Sequence, residues 1–210
     1  MPTTTNNGWT TPADTALVKD GASAIRTLGN NIDSTLGVYA APGLVHISTT
    51  ALSAVSSQSF NNVFNASYSN YLVIFSLQTV TGSTSSFDLK FRVSGTDSSA
   101  SYSNFYVGIN SASGAQNLVN NSASALTLTS THSSLTTPYV MARIEIINPA
   151  VATPTIGTIQ STGLNSAGQY LAYNGGYIHD VATAYDGFTI SRSSGTMTTG
   201  AVSIYGFRKN

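Results

Sequence analysis

Three histidines and eight carboxylates are the acid–base groups this chain could bring to a reaction at moderate pH. His179 stands beside Asp180, and with any of the many serines the pair could be arranged into a hydrolytic triad. Neighbouring residues on a strand point to opposite faces, so His179 and Asp180 make a poor base and orienter. There is no Gly-x-Ser-x-Gly elbow in a strand–turn–helix setting to expose a nucleophile. Glu145 is the single glutamate. Glycoside hydrolysis needs two acids flanking the scissile bond, whereas Glu145 alternates with apolar residues and is expected outward, solvated or paired with Arg143 or Lys90. Asp180 and Asp186 offer oxygen ligands without the dense acidic loop that calcium favours. No phosphate-cradling or dinucleotide fingerprint occurs. His46 falls in an expected strand and His132 in a Ser/Thr-rich segment. The expectation is a chain with no catalytic residue, no metal site and no cofactor.

Aromatic side chains are the richer resource. Eleven tyrosines are present, grouped at Tyr102, Phe105 and Tyr106, and again at Tyr170, Tyr173 and Tyr177. Tyrosine combines a flat apolar face with a hydroxyl, which suits a polar surface such as a sugar or another protein. The same rings can equally pack into or cap a β core. The Tyr-, Asn- and Gly-rich stretch 168–180 reads as a loop tip, which makes Tyr170, Tyr173, Asn174 and Tyr177 the receptor-binding candidates.

The elements that must position these residues are mostly strands. Charged residues make up 8% of the chain, against about 25% in an average protein. A surface built from Ser, Thr, Asn, Gln and Gly suits pleated sheets better than helices. Eight basic and eight acidic residues, scattered singly, leave no patch for a phosphate backbone, so nucleic acid is not an expected partner. Without cysteine there are no disulfides or thiolate metal sites. The N-terminus has neither the basic start nor the apolar run of a signal peptide, and no apolar stretch reaches a membrane-spanning length. The chain is therefore expected to be made in a cytoplasm, with no membrane insertion.

Two regions differ in period. In residues 1–42, Thr11 serves as an N-cap, Pro12 opens a helix and Asp14 follows the cap, predicting about 25 helical residues, ~37 Å long, up to a stop at Gly37. Val18, Ile25 and Ile32 recur every seven residues, with Leu28 at the complementary position. Gly21 and Gly29 weaken the helix, so the stripe must pack on the chain's own β region or on copies of itself. Ala41-Pro42-Gly43 breaks the pattern. In residues 43–210 the period becomes two. Tyr71, Val73, Phe75 and Leu77 form one buried row. Phe87, Leu89, Phe91 and Val93 form another, with Asp88, Lys90 and Arg92 outward, and Val140, Ala142, Ile144 and Ile146 form a third. Phe188, Ile190, Val202 and Ile204 follow. Residues 111–137 read as a long loop with one or two edge strands. Eight or more short strands separated by turn signals predict a mainly β fold: an antiparallel jelly-roll-like β-sandwich preceded by a short α-helical segment.

Gly8-Trp9-Thr10-Thr11-Pro12-Ala13-Asp14, followed by Asp20-Gly21-Ala22-Ser23-Ala24-Ile25-Arg26-Thr27-Leu28-Gly29-Asn30-Asn31-Ile32-Asp33, resembles the opening of many bacteriophage tail-fibre and minor virion structural proteins. Further on, Phe64 to Tyr71 is similar to their step into a long strand, and Leu89 to Asp97 to their strand and turn. Val202 to Lys209 is similar to their terminal strand. The resemblance spans nearly the whole chain, although long shafts and repeat segments are missing. It implies a homotrimer in which residues 1–42 assemble the protein or anchor it to other virion proteins, while residues 43–210 form an exposed head. The function it implies is that of a non-enzymatic tail fibre or tail appendage that contributes to binding a host-surface glycan or protein. A capsid decoration, cement or head-fibre protein is the alternative. A polysaccharide depolymerase is disfavoured by the sparse acids.

Overall fold

A single tryptophan organises the segment ahead of the strands. The computed structural model describes residues 3–4, 7–11, 13, 17, 20–39, 43–82, 86–129, 140–165 and 167–209. Thr3 and Thr10 pair as an antiparallel bridge, and the Thr4 and Gly8 amides close the turn on the carbonyls of Trp9 and Thr4 at 2.9 and 3.0 Å. Trp9 donates its indole N–H to Thr35 Oγ1 at 2.9 Å, and Thr35 in turn donates to the Asn31 carbonyl at 2.8 Å. Helix α1 spans Gly21–Tyr39, 19 residues, or ~28 Å.

The helix therefore begins well after the Thr11-Pro12 start that the sequence predicts. Thr35 lies fourteen residues into the helix from Gly21, a rise of ~21 Å. Asp20, a favoured N-cap residue type, stands directly ahead of Gly21, and its amide bonds the Leu17 carbonyl at 2.9 Å. Of the heptad candidates, Val18 lies outside the described residues and Leu28 and Ile32 are half-buried. Ile25 is 66% exposed.

The chain divides into two units, Met1–Gly43 and Leu44–Lys209. The second unit holds thirteen strands among the described residues. In chain order they begin with β1 (Leu44–Leu52), β2 (Ser57–Phe60), β3 (Tyr68–Thr81), β4 (Phe87–Val93), β5 (Thr96–Asp97), β6 (Tyr102–Asn110) and β7 (Gly114–Ala123). They continue with β8 (Leu126–Thr127), β9 (Val140–Ile147), β10 (Thr155–Leu164), β11 (Tyr170–His179), β12 (Gly187–Arg192) and β13 (Thr196–Arg208). All neighbouring strands are antiparallel. An eight-stranded sheet runs β1-β13-β3-β9-β10-β11-β6-β7. The smaller sheet runs β2-β12-β4-β5, with β8 also on β4.

Taking β1-β13-β3-β9 against β2-β12-β4-β8, the chain alternates between sheets in the order of a jelly roll. Strands β10, β11, β6 and β7 extend the larger sheet beyond that frame. The core follows from alternation: Tyr71, Val73, Phe75, Ala142, Ile144, Ile146, Val202 and Ile204 line the large sheet's inner face, all fully buried. Phe87, Leu89, Phe91, Phe188 and Ile190 meet them from the small sheet. Phe188 stacks on Phe60 and Phe64 with ring centroids 4.7 and 5.7 Å away.

One row departs from the expected alternation. Arg92, expected outward, is buried, and Val93, expected inward, is 37% exposed. The two-residue Ser94-Gly95 loop, with φ of 49° and 80°, folds β5 back onto the end of β4. That places Asp97 over Arg92, with Nε to Oδ1 at 3.4 Å. Thr189 accepts from Arg92 Nη1 at 3.1 Å and donates to Asp97 at 2.8 Å, while Nη2 donates to the Gly95 carbonyl. A buried guanidinium is tolerable only when partnered in this way. Residues 111–129 supply edge strand β7 and the short β8, and His132 lies outside the described residues. No described helix is long and apolar enough to cross a membrane.

Candidate functional site

Stretch 168–180 is not a loop tip: residues 170–179 are strand β11, the sixth strand of the large sheet. Its alternation separates the four candidates. Tyr170 (71% exposed) and Asn174 project from the outer face, whereas Tyr173 (8%) and Tyr177 (5%) project inward. The inward pair cannot contact an outside ligand without unfolding the extension.

Glycine explains why the rings lie where they do. Across the register, Tyr173 faces Gly108, Tyr177 faces Gly157 and Tyr106 faces Gly175. Each ring covers the bare backbone opposite it, and a Cβ built on Gly175 would stand 2.0 Å from the Phe105 carbonyl oxygen and 2.5 Å from the Tyr106 ring. Each hydroxyl finds an acceptor. Tyr106 donates to the Thr127 carbonyl. Tyr177 donates to the Glu145 carbonyl at 3.0 Å, and Tyr173 to Gln116 Oε1 at 2.6 Å. Burial raises the hydroxyl pKa of Tyr106 and Tyr177 far above the ordinary phenol value, so both stay protonated donors.

Where the extension joins the sandwich, His179 is fully buried. Its ring stacks on Tyr102 at 4.0 Å, and its Nε2 is 2.6 Å from Tyr185 Oη. Desolvation lowers its pKa below the usual imidazole value, which keeps the ring neutral. Asp180 is exposed. The ring is a packed core element with no carboxylate orienting it.

The accessible chemistry is on the outer face. Thr162, Met141, Ala172 and Ile109 stand in one cross-strand row, and Arg143, Gln160, Asn174 and Val107 in the next. Small side chains beside larger ones hollow a trough of about 600 Å³, lined by Val107, Ile109, Met141, Gln160, Thr162, Ala172 and Asn174. A polar depression of about 290 Å³ adjoins it, lined by Arg143, Glu145, Thr158, Gln160 and Asn174. There Glu145 accepts from Arg143 Nη2 at 2.9 Å and from Thr158 Oγ1 at 3.2 Å, so both carboxylate oxygens are engaged. Of the two expected partners for Glu145, Arg143 is the one it takes. Glu145 is the one acidic residue in the eight strands of this sheet. The amide, guanidinium and carboxylate edges can exchange hydrogen bonds with a hydroxyl-rich or peptide surface.

Sequence reasoning missed Val107, Ile109 and Met141. A signal existed for β6: Phe105, Val107 and Ile109 alternate with Tyr102, Asn104 and Tyr106, so the strand carries apolar side chains on both faces. Comparison with family models and with curated protein sequences finds no match.

Proposed function

We propose that this chain is a non-enzymatic bacteriophage virion appendage, homotrimeric through its N-terminal helix, whose β-sandwich head contributes to attachment at the host surface. The observation that carries it is the helix itself. Ile25 and Leu36 are 66% and 58% exposed and lie eleven residues apart, on one side of α1 with Ile32 between them. An isolated helix of this length with exposed isoleucine and leucine is marginal in water, and copies of itself are the economical cover. Residues 1–42 then assemble the appendage or join it to other virion proteins, and residues 43–210 form the head. Tyr170, Asn174 and the depression around Arg143 and Glu145 are the head's surface for a host glycan or protein. Three weak sites on one appendage gain from effective concentration.

Immunogold electron microscopy of the intact virion, with antibody against residues 43–210, tests this reading. Label at the tail supports host attachment. Label over the head replaces it with capsid decoration, and an unlabelled particle removes the virion role altogether.

A further inference from the structure

A glycine inside a strand weakens it, and is kept for a left-handed backbone, a bulge, or something that lies close over it. Gly108, Gly157 and Gly175 have the last of these reasons: a Cβ on them would stand 2.4, 2.8 and 2.5 Å from the rings of Tyr173, Tyr177 and Tyr106. Gly176 has none of them. Its backbone is not left-handed, and its register with Thr158 on one side and Phe105 on the other is unbroken. A Cβ there would meet only the Gly157 carbonyl oxygen, at an ordinary 3.6 Å. Alternation places Gly176 on the outer face with Asn174. Phe105 stands directly across from it, 50% exposed, yet no atom of Phe105 comes within 4 Å of that Cβ position. Thr158 and Asn174, its neighbours across and along the strand, both line the polar depression of about 290 Å³. The bare backbone therefore lies at the edge of that depression and is open to the outside.

We propose that Gly176 is the floor of a sugar-binding subsite. An uncharged pyranose ring lies over the bare backbone, with its C–H face toward Phe105 and its hydroxyls toward Asn174, Gln160 and Thr158. This subsite rests on the host-attachment reading above and fixes its ligand as a glycan. Strand β11 is already paired on both sides, by β10 and β6, so a peptide strand gains no ladder there. Arg143 and Glu145 neutralise each other at 2.9 Å, so the site offers no net charge to an ionic ligand. The carboxamides of Gln160 and Asn174 are exposed, and each offers a donor and an acceptor side by side, which matches neighbouring hydroxyls. A half-exposed aromatic ring supplies the flat apolar face that sugar C–H groups pack on. A depression of this size, at the lower end of ordinary small-molecule sites, suits a single sugar unit better than a broad protein surface.

Binding of the full-length chain to polysaccharide extracted from the host surface tests the assignment. Gly176→Thr fills the open space without strain. It is expected to melt at or above the native temperature, since threonine suits a strand and glycine costs entropy, and to lose the polysaccharide. Asn174→Ala is expected to weaken binding about fivefold, the scale of one hydrogen bond. Thr49→Ala, exposed on β1 of the same sheet, is expected to leave binding unchanged. Full binding by a folded Gly176→Thr chain overturns the subsite and puts attachment elsewhere on the head. A native chain that leaves the polysaccharide unbound overturns it too, and loss of adsorption to protease-treated host cells then identifies a protein receptor. Neither result touches the virion reading, which falls only if antibody leaves the particle unlabelled.

Discussion

The two halves of the large sheet solve burial in different ways. Strands β1, β13, β3 and β9 lie in the jelly-roll frame, and their inner face meets Phe87, Leu89, Phe91 and Phe188 of the small sheet. Strands β10, β11, β6 and β7 extend past that frame. Their inner face carries tyrosines laid over glycines, and Phe91 of the small sheet packs on Tyr102 and Tyr177 with ring centroids 6.1 and 6.3 Å away. The lesson is that a sheet can extend past the strands that face it when long side chains lie over bare backbone and join the same core. Glycine supplies the space, and each phenol hydroxyl, buried with its ring, finds a protein acceptor.

Removing the small sheet's contribution is the strongest way to break the comparison. Phe188→Ala deletes a ring packed on Phe60 and Phe64, and chemical denaturation should show about 4 kcal/mol lost. A change this large should abolish the jelly-roll half as a cooperative unit. Gly175→Ala is the matching test in the extension. The new methyl meets backbone 2.0 Å away and the Tyr106 ring at 2.5 Å, and should cost about 2–3 kcal/mol by the same measurement. Hydrogen exchange should place that loss in β6 and β11 first, with β3 and β13 still protected. Equal loss across all eight strands would mean that the extension is not separate in energy from the frame.

Smaller changes sharpen the contrast. Tyr106→Phe keeps the ring over Gly175 but deprives the Thr127 carbonyl of its donor, and about 1 kcal/mol is expected from denaturation. At pH 7 the smallest effect of all should come from His179. Its pKa in the fold is depressed by burial, so the unfolded chain binds the proton more readily. Stability from this group is therefore fully present above about pH 6.5, the ordinary imidazole value, and declines as pH falls below it. Melting temperature against pH should show that decline in the native chain and a flatter profile in His179→Asn. A melting curve that rises on acidification through this window would reverse the sign and remove the burial argument.

Much of the frame was legible because burial on one face imposes a period of two. The rows at Tyr71–Leu77, Phe87–Phe91 and Val140–Ile146 needed only the alternation of apolar residues. The candidate site was legible in part. Composition singled out the tyrosines of 170–177 but read them as a loop, because Tyr, Asn and Gly together mimic loop chemistry. The glycines were in fact spacing for rings on the next strand, a pairing invisible without the register. Arg92 and Val93 failed for a related reason: the Ser94-Gly95 turn brings Asp97 back over the strand end, and no local pattern announces a partner that arrives from a hairpin.

The sequence by itself determined the strand-rich class, the change of period near Pro42 and the inward rows of the sandwich, since each depends on neighbours along the chain. Only the tertiary structure decided where the helix begins and which face each tyrosine takes. Those outcomes depend on contacts between residues far apart in the chain: Trp9 with Thr35, and Tyr106 with Gly175. Local propensity is too weak to specify such pairings, and the free energy of packing selects them.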